Sequence, residues 1–182
     1  MSAGAHLDAA LAAEAEAYRA LLAGRDARPA LVAARDAYLA SHAESAPASW
    51  GRLVGALKMS VLAGDGAEPI ARRALAEVGD ADTPASAYLR ALAQVTLGER
   101  PDVATMLAAG DSFARTGRAL QALGGGDRPA YAAALGEIVA DFEARDQHLS
   151  GVAIADTALV LERLAEPRGM AVRPTGPLVP AP

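Results

Sequence analysis

The stretch QALGGGDRPAYAAAL, residues 121–135, decides how this chain is read. A helix-forming run stops at Gly124, Gly125 and Gly126, residues that tolerate the positive φ on which helices commonly end. Asp127 can accept hydrogen bonds from the free N–H groups that open a following helix. Pro129 suits a first helical turn, where its missing N–H costs nothing. The stretch predicts helix, turn, helix, which is an αα-hairpin.

The same order of residues recurs. LLAGRDARPALVAA (21–34), VLAGDGAEPIARRAL (61–75) and TLGERPDVATML (96–107) each place a glycine, charged residues and a proline between two apolar runs. The prolines Pro29, Pro69, Pro101 and Pro129 are 40, 32 and 28 residues apart, a looser spacing than a fixed-period solenoid keeps. Between the joints, apolar residues follow the helical period: Leu7, Leu11, Tyr18 and Leu22; Trp50, Leu53, Val54, Leu57 and Val61; Tyr88, Leu92 and Val95; Tyr131, Leu135, Ile138 and Phe142. The chain contains 48 alanines among 182 residues and only 4% aromatics, so the helices must pack closely through a thin core. Small residues such as Gly51 and Gly55, four apart on one run, suit such close approach.

These features predict an all-α fold of stacked antiparallel helical hairpins, α-solenoid-like, right-handed, with eight or nine helices. The helical domain is expected over 1–169. The segment 148–169 has apolar residues on more than one side and reads as a central helix ended by Pro167 and Gly169. Four prolines keep 170–182 out of any helix, and Met170, Val172, Leu178 and Val179 give this tail something to bury, so partial docking is expected.

Composition excludes several functions. With no cysteine, disulfides, zinc–thiolate sites and cysteine nucleophiles are ruled out. The formal charge of −5 comes with no basic stripe, which weighs against nucleic acid as a partner. The longest run free of Asp, Glu, Lys and Arg is nine residues, short of the roughly 20 that span a bilayer, so no membrane partner is expected. The N-terminal MSAGAHLDAALAAEAEA lacks a basic region and carries Asp8, Glu14 and Glu16, unlike a signal peptide; a cytoplasmic location follows as the expectation.

Chemistry-bearing patterns are sparse. His6, His42 and His148 form no metal-ligand pair, and no metal, cofactor or catalytic residue is assigned. The glycines at 124–126 lack the strand and the Gly-Lys-Ser/Thr of a phosphate loop, and no Gly-x-Ser-x-Gly elbow occurs. The best polar cluster is Asp141, Asp146, His148 and Asp156, where a carboxylate–histidine pair could do acid–base work or hold a small ligand; a solvated helix end explains the same residues. Arg72–Arg73 and Arg115–Arg118 read as exposed helix faces. Trp50 reads as a core anchor or, if exposed, as a partner contact.

Alanine-rich hairpins joined by Leu-x-Gly-Asp-like turns, as in ALGGGDRPAYAAALGEIVADF (122–142), followed by the helix ADTALVLERLAEPRGMAV (155–172) and the ending TGPLVP (175–180), resemble the immunity protein 49 family of bacterial polymorphic toxin systems. Arg168–Gly169, Val172 and Val179–Pro180 carry the resemblance, which spans about 50–180. It implies a helical protein that neutralises a cognate toxin by binding it, with no catalytic residues to carry over. A more general likeness to tetratricopeptide-like hairpins lacks their W-x-x-L-G-x-x-Y signature. Three functions are therefore expected in order: a non-enzymatic cytoplasmic protein-binding module, its partner a toxin on the resemblance; a small-ligand or metal-binding protein or enzyme built around Asp141, Asp146, His148 and Asp156; and a structural homo-oligomer.

Overall fold

The computed structural model describes residues 2–181, and the described residues form nine α-helices and no strand. In chain order these are α1 (Ala3–Leu22), α2 (Arg28–Ala43), α3 (Trp50–Ala63), α4 (Ala67–Val78), α5 (Pro84–Thr96), α6 (Ala104–Ala108), α7 (Asp111–Gly125), α8 (Arg128–Glu143) and α9 (Asp156–Ala165). The fold is all-α and consistent with a stack of helical hairpins.

The joint that opens the sequence argument behaves as its residues dictate, with one refinement. The α7 helix continues through Gly125, and Gly126 alone of the three glycines takes a positive φ, 74°. Asp127 then caps α8 by accepting a hydrogen bond from the Ala130 amide at 3.0 Å, with Pro129 in the first turn. Gly124 serves packing instead: a Cβ there would collide with the Pro101 ring of the preceding joint. A fifth joint, between α4 and α5, escapes the recurring pattern. It turns at Gly79 and restarts with a capping box in which Thr83 and Ser86 each accept from the other's amide.

Consecutive helices pack on each other, and α3, α5 and α7 also pack side by side. Alanines let them come close: Ala56, Ala71, Ala74, Ala91, Ala93, Ala119 and Ala158 are wholly buried among Leu53, Leu57, Leu89, Leu92, Leu120 and Leu135. The last helix does not simply extend the stack. It turns back onto α3, α7 and α8, burying Ala158, Val160, Leu161, Leu164 and Ala165.

The tail lies over this arrangement. Met170 is buried, and Val172, Leu178 and Val179 rest on the core. The Ala155 amide, just before α9, donates to the Leu178 carbonyl at 2.9 Å. Glu162 of α9 is buried and anchors the other end of the tail. It accepts from Tyr131 Oη at 2.9 Å and from the amides of Val172 (3.0 Å) and Arg173 (2.6 Å). Three donors on one buried carboxylate offset its loss of hydration.

Candidate functional site

Leu7, Leu11, Glu14 and Tyr18 succeed one another along α1 at helical spacing, so a carboxylate interrupts an apolar stripe. The α3 helix runs parallel to α1, because α2 reverses the chain between them, and it presents Arg52, Val54, Gly55 and Lys58 to the same space. The opposite wall comes from Phe113 and Arg115 of α7, Ile138, Asp141, Phe142 and Arg145 of α8, and the segment from His148 to Ile154. Between these walls lies a cavity of about 440 Å³, the size of a small organic ligand site.

Its inner end holds a connected polar group. Lys58 Nζ donates to Asp156 Oδ2 and, at 3.3 Å, to Thr157 Oγ1. Tyr18 Oη donates to the same Asp156 oxygen at 3.0 Å, and Tyr38 Oη donates to Glu14 Oε2. Only 12% of the Lys58 side chain and 13% of that of Asp156 remain exposed. Burial alone would lower the Lys58 pKa, but the neighbouring Asp156 carboxylate outweighs it and holds the ammonium above its ordinary value. Lys58 is thus a fixed charge at neutral pH, not an amine nucleophile. Burial raises the Glu14 carboxyl, against the lowering effects of the Tyr38 hydrogen bond and the Lys58 charge. Burial likewise raises Tyr18, Tyr38 and Tyr88, and the hydroxyls of Tyr18 and Tyr38 act as hydrogen-bond donors and not as bases.

Gly55 makes this arrangement sterically feasible. A Cβ at that position would sit 2.8 Å from the Tyr38 ring. The small residue admits an aromatic ring here, not a second helix backbone, while the space above Gly51 is open.

The outer end is cationic. Arg115 and Arg145 share the single carboxylate of Asp141, the latter at 2.5 Å, and the Arg145 guanidinium lies 3.9 Å over the Phe142 ring. Arg52 donates through Nε to Ser41 Oγ at 2.8 Å and has no carboxylate partner among the described residues. Overall, the cavity is lined by four cationic side chains and three carboxylates in a chain of net charge −5.

Of the polar cluster expected from sequence, Asp141, His148 and Asp156 line this cavity. They do so at different depths: Asp156 joins the inner group, whereas Asp141 pairs with arginines and His148 stacks on Phe142 with ring centroids 6.1 Å apart. Asp146 is exposed and does not line it. No cluster of three His, Cys, Asp or Glu suited to a metal occurs among the described residues. Trp50 is half-buried against the core and takes no part in the cavity. Arg115, expected on an exposed face, is a partly buried wall residue because α8 brings Asp141 to it. Glu14, Tyr18, Tyr38, Arg52, Lys58 and Tyr88 were missed as site residues. Two signals pointed to them: Lys58 is the only lysine and sits mid-helix in WGRLVGALKMSVLA, and Glu14 falls within the Leu7–Leu22 stripe.

No helix among the described residues is long and apolar enough to cross a membrane. Comparison of the chain with protein-family models, with curated proteins and with solved structures returns no match.

Proposed function

We propose that this protein binds a small organic molecule in the cavity between α1, α3, α7, α8 and α9. One observation carries this reading. Five of the seven aromatic residues (Tyr18, Tyr38, Tyr88, Phe113 and Phe142) and the only lysine line one space. The rest of the core is almost entirely aliphatic, with Tyr131 its one fully buried aromatic. A buried ion pair is a poor route to stability, because apolar residues of the same volume usually do as well or better. Aromatic walls with a few convergent polar groups are what a small-molecule site requires. Toxin neutralisation, which the family resemblance implies, would leave this cavity and its polar floor without a role.

A neutral fluorescent probe, N-phenyl-1-naphthylamine, tests the reading. Saturable 1:1 binding is expected, and it should be lost in Val54→Trp, which fills the cavity from α3. Absence of saturable binding overturns the proposal, as does unchanged binding to a folded Val54→Trp variant.

A further inference from the structure

The charges of the cavity are arranged by depth, and the arrangement specifies a ligand class. This inference rests on the ligand-binding reading above. At the inner end, Asp156 neutralises Lys58 and also accepts from Tyr18. Glu14 receives Tyr38 Oη on Oε2; the Tyr18 hydroxyl also lies close to Glu14 but gives its single proton to Asp156, so no donor bond to Oε1 occurs among the described residues, and the carboxyl borders the cavity. The floor therefore has an unused acceptor. At the outer end, two arginines share one aspartate and Arg52 has no carboxylate at all, which leaves a surplus of positive charge on an otherwise acidic protein. Arg52 and Lys58 are six residues apart on α3, so the two levels are separated by about 9 Å along the helix axis. Between them the walls are apolar: Leu11, Val54, Phe113 and Ile138.

We propose that the ligand is an elongated organic acid, with its carboxylate at the arginine mouth, an apolar middle, and a hydrogen-bond donor such as a hydroxyl at the Glu14 floor. Guanidinium–carboxylate contacts are charge-assisted and stronger than neutral hydrogen bonds. The long-range field of the arginines also favours an anion entering a cavity on a protein that elsewhere repels it.

Three probes of equal chain length separate the two ends: 8-hydroxyoctanoate, octanoate and octane-1,8-diol, each measured by displacement of N-phenyl-1-naphthylamine. The bifunctional 8-hydroxyoctanoate should bind about tenfold more tightly than either of the others, the worth of one good polar contact at each end. In Arg52→Gln, 8-hydroxyoctanoate should fall to the level of the diol measured on the same variant; an advantage over the diol that survives the change overturns the acidic end. A diol equal to the hydroxy acid overturns the acidic end; octanoate equal to it overturns the donor end. If the neutral probe binds but none of the three displaces it, the ligand class is wrong and the cavity reading stands. If the neutral probe itself fails to bind, the cavity reading has failed first.

Discussion

Two carboxylates are buried in this helical stack, Glu162 and Glu14, and each accepts a hydrogen bond from a tyrosine hydroxyl. Their surroundings differ in kind. Around Glu162, Tyr131 and the backbone amides of Val172 and Arg173 occupy both oxygens, and neither Glu162 nor Tyr131 borders the cavity. Around Glu14, one oxygen is taken by Tyr38 and the group opens into a 440 Å³ space beside a lysine–aspartate pair. A carboxylate with all its partners inside the chain is cement, here fastening the C-terminal tail. One left with an unused acceptor facing a cavity is available to a ligand. Residue type alone would not separate them; the count of donors does.

Substitutions should widen or erase this contrast. The largest effect is expected from Asp156→Ala, which strands the buried Lys58 ammonium and should lower unfolding free energy by about 4 kcal/mol. Urea denaturation measures this loss, and adding Lys58→Met should restore most of it. Next comes Glu162→Ala, which leaves Tyr131 Oη and two amides without their acceptor, at a cost of about 3 kcal/mol. Hydrogen exchange at Val172 and Arg173 should accelerate as the tail loosens, while probe binding in the cavity stays unchanged; weakened binding would mean the two regions are coupled. Gly55→Ala should cost about 2 kcal/mol, because its Cβ overpacks against the Tyr38 ring. That change should also weaken probe binding, since Tyr38 cannot move without disturbing Glu14.

The smallest and most diagnostic effect concerns pH. Burial raises the folded-state pKa of Glu14 above its ordinary value of 4.5, so the folded chain holds this proton more tightly than the unfolded chain does. The resulting stability is complete below about pH 4.5 and is lost as pH rises through the folded value. Glu14→Gln removes the dependence. Melting temperatures from pH 5 to 8 should therefore fall more in the wild type than in this variant; parallel curves would show that burial does not raise the Glu14 carboxyl.

The helical joints were legible because turn chemistry is local. A glycine at positive φ, an aspartate accepting a nearby amide and a first-turn proline need only their immediate neighbours, and all three meet at the α7–α8 joint (Gly126, Asp127, Pro129) and the α1–α2 joint (Gly24, Asp26, Pro29); the α3–α4 joint turns on Gly64 and Gly66 with no side-chain cap. Pro101 shows where locality ends: it precedes the short α6 without entering it, and what it does is pack on Gly124 of α7. The site was legible only in fragments. Asp141, His148 and Asp156 stood out as a sequence cluster, yet their cavity partners lie far away: Asp156 meets Tyr18 and Lys58, 138 and 98 positions distant. Arg115, judged from α7 alone, looked solvated until Asp141 of α8 was placed beside it.

By itself, then, the sequence determined the helices, their joints and the thin alanine-rich core, because each depends on propensities and spacings a few residues long. Tertiary structure decided which polar residues meet. Whether Glu14 on an apolar stripe is an accident or half of a site depends on Tyr38 reaching it across Gly55. Whether Lys58 is a buried liability or a fixed charge depends on α9 folding back to supply Asp156. Burial and Coulomb interaction depend on distance through space, and a one-dimensional pattern does not contain that distance.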